Sequence, residues 1–260
     1  SANTHDEVYW NPNAMNVNGD ITDFTLLKNA CTNADCIYHM AADISIQYSI
    51  ENPTESYKNN VIGTLNVLEV ARVLGIKKVV FSSTAAIYGS TSEPCVETDR
   101  PDPLNPYSVS KLAGENLMKM YNDLYGIQTV SLRYFNVYGP RQAHKGQYAP
   151  VVGIFQKQKF EGKPLTIIGD GNQTRDFIHV ADVAHANVMV SESDVVGVFN
   201  VGSGIEYSVN QIAMLTKNPH GTTTIPSREG EARRSLSDNT KLKDIGWQPR
   251  IGLEAWIAKQ

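Results

Sequence analysis

The chain has 260 residues, of which 41% are hydrophobic and 19% charged, with a formal net charge of -4 at pH 7. This length suffices for one large domain or two modest ones. An acidic balance without a basic block argues against binding nucleic acid, and no apolar run approaches the roughly 18 residues of a membrane span. The three cysteines and six histidines lack the spacing of disulfide frameworks or metal sites. We therefore expect a cytoplasmic protein without a metal site that acts on small molecules.

Short apolar runs alternate with helical stretches along the chain, a pattern typical of a parallel sheet covered by helices. In helix 105–126 an apolar repeat indicates the helical period. From about residue 140 the alternation loosens, which predicts a second, smaller lobe. Strands are predicted at 14–21, 35–42, 77–84, 128–139 and 197–204, and helices at 22–30, 52–75 and 105–126. The apolar repeat consists of Val109, Ala113, Leu117, Met120 and Leu124.

The long helix 52–75 carries start and stop signals. Asn52 can cap it, Pro53 suits its first turn, Glu55 has capping-box spacing and Gly75 can end it.

Tyr107 and Lys111 are four residues apart in helix 105–126, so both project from one helix face. A phenol titrates at a pKa of about 10 and is a poor base at neutral pH. A neighbouring ammonium would lower that pKa and make the tyrosine usable as a general base. Two solvated neighbours on a helix would show the same spacing, so the pair alone leaves both readings open.

Hydroxyl groups follow the buried strand 77–84 in the stretch SSTAAIYG (82–89). Open α/β sheets bind ligands where their strands end, so Ser82, Ser83 and Thr84 could contact a sugar or a cofactor. Simple turn capping by serine and threonine is the alternative.

Three further stretches carry candidate ligand contacts. RYFNVYGPRQ (133–142) offers Asn136 as a neutral donor and Arg141 as an anion contact. GDGNQTRDFIHVADV (169–183) contains Arg175 and Asp176, although a hairpin with an Arg–Asp pair would explain it equally. PSREGEARRSLSD (226–238) could bind a diphosphate through its arginines, or be a solvated charged segment. Those arginines are Arg228, Arg233 and Arg234.

In their order and spacing these motifs resemble the extended short-chain dehydrogenase/reductase family, in particular its NAD-dependent epimerase/dehydratase branch. The resemblance runs from about Gly19 to the C-terminus and includes GDI (19–21) and HMAA (39–42). It implies a Rossmann-like doubly wound parallel sheet with a smaller C-terminal lobe, and a homodimer formed through helices 52–75 and 105–126. The NAD-binding domain would comprise residues 1–138 and 180–205, and the nucleotide-sugar lobe residues 139–179 and 206–260.

The resemblance also implies a tightly held NAD and the interconversion of UDP-hexose C4 epimers through a 4-keto sugar. Tyr107 would remove the 4-hydroxyl proton, Lys111 would keep the Tyr107 pKa low and bond the nicotinamide ribose, and Thr84 would share the proton. The positions that match cofactor contacts are Asp20, Ile21, Ala41, Ala42, Asn59, Ser82, Tyr107, Lys111 and Tyr134. The positions that match substrate contacts are Thr84, Asn136, Arg175, Arg228, Glu231 and Ser235.

Two sites in the sequence distinguish between reactions and between sugars within the family. Dehydratases carry an Asp-Glu pair after the threonine, whereas Ala85 and Ala86 here cannot transfer protons, which favours epimerisation. Ser235 matches a position that restricts the sugar pocket when it is a large aromatic residue, so N-acetylated sugars are expected to fit. Another nucleotide-sugar enzyme, such as a decarboxylase, a different epimerase or a reductase, is an alternative, as is a non-catalytic remnant that binds a nucleotide sugar.

One family motif is missing from the sequence. The family opens with a strand, a G-x-x-G-x-x-G turn and a helix whose N-terminus holds the pyrophosphate. Neither GDG (169–171) nor GSG (202–204) has that spacing or context. The resemblance therefore implies that a βαβ unit of roughly 30 to 40 residues is absent ahead of the chain, with its strands belonging between 14–21 and 35–42.

Overall fold

The computed structural model describes residues 10–143, 150–227 and 232–260 of the chain. Helices and strands alternate through its first half and return to the same sheet later. The helices are α1 (Phe24–Ala30), α2 (Ile46–Glu51), α3 (Pro53–Tyr57), α4 (Gly63–Leu74), α5 (Pro106–Tyr125), α6 (Val151–Phe160), α7 (Val180–Ser191), α8 (Val209–Thr216), α9 (Thr240–Asp244) and α10 (Leu253–Ile257). The strands are β1 (Cys36–His39), β2 (Lys78–Thr84), β3 (Gln128–Tyr134), β4 (Asn136–Tyr138), β5 (Leu165–Ile168), β6 (Thr174–His179), β7 (Gly197–Val201), β8 (Glu206–Ser208), β9 (Thr222–Ile225) and β10 (Arg234–Ser235).

Within the described ranges, the main sheet is parallel and has the strand order β1-β2-β3-β7. Successive side chains of β2 point to opposite faces, so Val79 and Phe81 join one apolar cluster while Val80 joins the other. Helices α4 and α5 cover the first face, and α7 covers the second. Strands buried on both faces read as near-continuous apolar runs, which is why the sequence revealed them. The expected Rossmann-like α/β class is confirmed.

The predicted strand 14–21 is wrong. Residues 15–20 carry no strand assignment, and Met15 is 83% exposed. A strand needs a neighbour for its backbone groups, and among the described strands β1 pairs with β2 alone. The helix predicted next is confirmed as α1, with the Asp23 side chain accepting from the Leu26 amide.

The single helix predicted over 52–75 is interrupted. A π-helical turn, Lys58–Ile62, separates α3 from α4, and α2 precedes them as an element that the sequence did not predict. Asn52 makes no side-chain cap, whereas Gly75 ends α4 in the left-handed conformation with φ of 70°. Inside the π turn the buried Asn60 amide donates to Asp43 O and Ser110 Oγ, both at 2.9 Å. Through Asn60 the π turn between α3 and α4 is thus hydrogen-bonded to the loop after β1 and to α5.

The strand predicted over 128–139 divides at Phe135. Its first part is β3, and its second part is β4, which leaves the main sheet and pairs with β6. Strand β6 also pairs with β8 and β10, so it is not one arm of the hairpin considered from the sequence. Strands β5 and β9 pair separately.

A separate apolar cluster includes Phe155 and Ile212 of the predicted second lobe and also Tyr138, which the predicted division places in the NAD-binding domain. Leu242 and Trp247 pack instead on the main sheet, although the predicted division places them in the second lobe.

Two features are absent from the described ranges. No helix there has both the length and the apolar character needed to cross a membrane. No group of three or more His, Cys, Asp or Glu side chains there is arranged to hold a metal ion.

Candidate active site

The carboxyl edge of the main sheet borders a cavity of about 280 Å³. Thr84 ends β2 and Tyr134 ends β3, and Tyr107 approaches them from the first turn of α5. This is the edge at which open α/β sheets bind ligands. The lining comprises Ile44, Ile46, Thr84, Ala85, Ala86, Gly89, Leu104, Asn105, Tyr107, Tyr134, Phe135, Asn136, Arg175, Ala232 and Ser235.

Helix α5 presents Tyr107 because its start is strongly specified. The Asn105 side chain accepts from the Ser108 amide at 2.9 Å, and the Ser108 hydroxyl closes a capping box, with Pro106 at the first helical position. The Tyr107 amide donates to Ser49 Oγ of α2 at 3.1 Å. The phenol is therefore carried on a fixed helix end.

Lys111 lies one turn further along and is 3% exposed. Its Nζ is 4.3 Å from the centroid of the Phe81 ring on β2. The helix approaches β2 closely because residue 114 is glycine, where a Cβ would lie 2.5 Å from Phe81 Cζ. The lysine is consequently enclosed between α5 and the sheet.

The electrostatics of the pair differ from the sequence-based expectation. Burial raises the pKa of Tyr107, and a hydrogen bond with Thr84 partly opposes this rise. Burial also lowers the pKa of Lys111 to about 7, against the charge of Glu115. Thr84, rather than Lys111, is therefore the group that favours the Tyr107 phenolate here. The buried His39 has its pKa lowered to about 3 by burial and by the Lys111 charge.

A buried ion pair lies behind the cavity and was not singled out from the sequence. Arg133 donates through Nε and Nη2 to both carboxylate oxygens of Glu115, at 3.0 and 2.8 Å. Ser83 Oγ donates to the same carboxylate at 2.5 Å. The pair joins α5 to β2 and β3, the three elements that carry the Thr84, Tyr107 and Tyr134 side chains.

The residues predicted to contact a cofactor lie in two groups. At the sheet edge, Ser82 Oγ donates to the Tyr134 hydroxyl at 3.1 Å, which donates to Asn187 Oδ1 at 2.9 Å. Ala41 and Ala42 follow the carboxyl end of β1 and are partly exposed.

The other predicted cofactor contacts lie away from the cavity lining. Asn59 donates to Asp43 Oδ2 at 2.5 Å, and Asp20 accepts from the Thr22 amide at 2.8 Å. Ile21 packs on Gly63 of α4, where an added Cβ would clash with its side chain.

The predicted substrate contacts Asn136, Arg175 and Ser235 all line the cavity. Arg175 and Ser235 are partners in the register of β6 and β10. Arg228 and Glu231 lie outside the described residues.

The other candidate arginines are engaged elsewhere. Arg233 forms an ion pair with Asp170 at 2.5 Å, and Arg234 forms one with Glu206 at 2.8 Å, so both are committed to structural pairs rather than free for a diphosphate.

Several lining residues escaped the sequence analysis. Ile44, Ile46 and Leu104 reach the cavity from loops or helix starts, which no periodic pattern marks. Asn105 could have been found, because a polar residue before Pro106 is typical of an N-cap.

A parallel sheet with a Tyr-x-x-x-Lys helix at its carboxyl edge defines an α/β enzyme of the extended short-chain dehydrogenase/reductase type. The chain belongs to the NAD-dependent epimerase/dehydratase family, whose family model matches residues 2–202.

Individual relatives agree. The chain is 38% identical over 233 residues to a UDP-glucose 4-epimerase of Mycolicibacterium smegmatis, covering 86% of this chain and 74% of the relative. A UDP-glucose 4-epimerase of Thermotoga maritima, solved with UDP-glucose, superposes with a TM-score of 0.92 at 36% identity, covering 95% of this chain and 83% of the other. A UDP-glucose 4-epimerase of Thermus thermophilus, solved with NAD, superposes with a TM-score of 0.87 at 35% identity. The match covers 92% of this chain and 81% of the other.

The residues at the sheet edge fit the NAD that this family uses. Hydroxyls of Ser82, Tyr107 and Tyr134 and the Lys111 ammonium offer hydrogen bonds of the kind that ribose hydroxyls require. The small side chains of Ala41 and Ala42 leave the backbone after β1 approachable. Within the described ranges no strand leads into a G-x-x-G-x-x-G turn.

Proposed function

We propose that the chain interconverts UDP-hexoses that differ at C4, through a 4-keto sugar and without net oxidation. The observation that carries this proposal is one cavity that brings together Thr84, Tyr107, Asn136, Arg175 and Ser235. Ala85 and Ala86 line the same cavity and have no proton to give or accept, which favours epimerisation over the loss of water.

Tyr107 is proposed as the acid–base group. Its phenolate takes the proton of the sugar 4-hydroxyl, and its phenol returns that proton after the 4-keto sugar has turned its other face. Bound NAD would supply the hydride acceptor and donor. Thr84 stabilises the phenolate, since its hydrogen bond already lowers the Tyr107 pKa against the effect of burial. Lys111 is proposed to bond the nicotinamide ribose of the cofactor.

Asn136, Arg175 and Arg228 are proposed to bind the diphosphate, and Glu231 is proposed to accept a hydrogen bond from the nucleoside ribose. Ser235 is proposed to leave room for a C2 substituent, so that N-acetylated hexoses are accepted. The proposed organisation also includes a homodimer through α4 and α5.

The decisive experiment is proton NMR of UDP-glucose and UDP-N-acetylglucosamine incubated with the protein and NAD. We expect the C4 epimer of each to appear. The variant Tyr107→Phe should lower kcat by a factor of about 10² to 10⁴, the usual contribution of a general acid–base group. Tyr125→Phe, at a half-exposed tyrosine of the same helix, should retain wild-type kcat.

Three results would count against the proposal. An active Tyr107→Phe variant would remove the acid–base role. Turnover of UDP-glucose without turnover of the N-acetylated sugar would remove the role of Ser235. Products of decarboxylation or reduction in place of C4 epimers would assign the chain to another reaction of the family.

A further inference from the structure

Asp176 is a fully buried carboxylate on β6 that none of the motif matches assigned to the site. Five donors converge on it. Oδ1 accepts from the Ser203 amide and hydroxyl, both at 2.7 Å, and Oδ2 accepts from Gly204 N at 2.9 Å. Oδ2 also accepts from the Ser237 amide at 3.2 Å and its hydroxyl at 2.5 Å. Hydrogen bonds to a charged acceptor are stronger than neutral ones, so this carboxylate is a firm attachment point.

The five donors belong to two segments that have no strand pairing with each other. Ser203 and Gly204 follow β7 of the main sheet, and Ser237 follows β10 of the second sheet. The segments meet closely at Gly202, where a Cβ would lie 2.6 Å from Asp176 Oδ2 and closer still to Ser237 Oγ. Asp176 therefore joins the segment after β7 of the main sheet to the segment after β10.

The attached strand is also a wall of the cavity. Ser235 lies two residues before Ser237 and is the register partner of Arg175, the direct neighbour of Asp176. Asn136 Nδ2 donates to the backbone carbonyl of Asp176 at 3.3 Å. Asn136, Arg175 and Ser235 of the cavity wall thus lie next to Asp176 through its backbone, through the chain and through strand register, while Asp176 does not itself line the cavity.

We propose that Asp176 is a positioning residue for the nucleotide-sugar pocket. By holding β10 against β6, its carboxylate sets the distance between Ser235 and the wall formed by Ala85 and Ala86, and so determines which sugars fit. This inference rests on the proposed function. Tyr107 and Lys111 lie on α5, which makes no hydrogen bond with the Asp176 carboxylate. Asp176 therefore acts on substrate binding and selectivity rather than on proton transfer.

The test compares Asp176→Asn with Asp182→Asn. The amide keeps the shape of the carboxylate but offers one acceptor oxygen to the five donors. Asp182 is a matched control, because it is 2% exposed and its carboxylate accepts from the Ile251 amide at 3.1 Å, away from the cavity. A third variant, Ser237→Ala, removes one donor and leaves the carboxylate in place.

We expect Asp176→Asn to raise KM for UDP-glucose about tenfold, because the displaced wall fits the substrate less well; this corresponds to about 1.4 kcal/mol of binding free energy. The ratio of kcat/KM between UDP-glucose and UDP-N-acetylglucosamine should change, while the pH profile of kcat stays that of the wild type. Ser237→Ala should shift KM and the ratio in the same direction by less. Asp182→Asn should leave KM and the ratio unchanged, even if it lowers the melting temperature equally.

The inference is overturned if Asp176→Asn and Asp182→Asn behave alike, or if Asp176→Asn lowers kcat with KM unchanged. If Asp176→Asn does not fold, an unchanged KM and ratio in Ser237→Ala overturn it. Failure of the wild type to epimerise any UDP-hexose would instead remove the proposed function. In that case the dissociation constant for UDP-glucose, measured by calorimetry on the same variants, decides the inference: equal constants, or no binding by the wild type, overturn it.

Discussion

Lys111 illustrates how burial changes the chemistry of a single side chain. Four residues separate it from Tyr107, and from that spacing alone a charged neighbour for the phenol was expected. The structure encloses the ammonium between α5 and β2, and its pKa falls to about 7. The pKa of Lys111 is thus set mainly by the cost of burying its charge, which the helical spacing does not reveal. The charge of the lysine therefore changes around neutral pH.

This shift predicts a pH-dependent stability. The folded pKa of about 7 lies below the ordinary value of 10.5, so between these values the unfolded chain binds more protons. The unfolding free energy therefore rises with pH across this window. Compared with Lys111→Met, the wild type should gain up to about 1.4 kcal/mol per pH unit.

Urea unfolding of both proteins across this pH range measures the difference. Lys119→Met, at an exposed lysine of the same helix, serves as the control, and its difference in unfolding free energy from the wild type should not change with pH. A difference between wild type and Lys111→Met that stays flat with pH would contradict the assignment.

At the scale of elements, the Glu115–Arg133 pair determines how α5 sits on the sheet. Both side chains are about 95% buried, and the contact is bidentate. Replacing one partner leaves the other charged and uncompensated in the interior. The net attraction within the pair adds little to the free energy of unfolding. Losing one partner is costly, because it leaves an unpaired charge in the interior.

Glu115→Gln should lower the unfolding free energy by about 3 to 5 kcal/mol, because Arg133 is left unpaired. The double variant Glu115→Gln/Arg133→Met should recover part of this loss. Asp123→Asn breaks an exposed ion pair on the same helix and should cost no more than about 1 kcal/mol. Denaturant titrations give these values, and equal costs for the Glu115 and Asp123 variants would refute the expectation.

The elements also show where sequence patterns succeed and where they fail. β2 and α5 were predictable because buried runs and capping residues are local signals. The π turn was not, since it depends on Asn60 bonding to Asp43 and Ser110, which are distant in sequence. The break at Phe135 was hidden because only this one residue separates β3 from β4, with no glycine or proline to mark it, although the two strands belong to different sheets.

In the candidate site, too, some features were predictable from the sequence and others were not. Motif order indicated Thr84, Tyr107, Asn136, Arg175 and Ser235, and these five side chains line one cavity. The spacing to Lys111 indicated a lowered Tyr107 pKa, whereas burial raises it, because desolvation depends on packing that the sequence does not show. Nor did the sequence separate Arg175, which lines the cavity, from Arg233 and Arg234, whose acidic partners come from other elements.

At the scale of the whole molecule, the apolar repeat of α5 coincides only in part with the face that the helix buries, since of its members Leu117 packs on the core. Val109, Met120 and Leu124 are exposed, Leu124 by 68%, whereas Lys111, Glu115 and Met118 are buried. An exposed apolar stripe on a helix is typical of a surface that contacts another protein. This supports the proposal that α5 takes part in a homodimer.

Met120→Glu should therefore weaken self-association, raising the dimer dissociation constant at least about tenfold because a charge would be placed in an apolar contact. Sedimentation equilibrium measures this constant. Met214→Glu, at an exposed methionine of α8, is the matched control and should not change it. A wild type that sediments as a monomer, or equal behaviour of the two variants, would remove the proposed dimer.

The cap of α5 has one more consequence. Asn105 both holds the first turn of that helix and forms part of the cavity wall. Fraying of this turn and occupancy of the cavity are therefore linked, because whatever touches Asn105 also stabilises the amides behind it. A ligand that orders the asparagine slows amide hydrogen exchange at Ser108. The same opening that exchanges those amides withdraws Tyr107 from the cavity, so hydrogen exchange at one backbone position reports on the fraction of molecules competent to react.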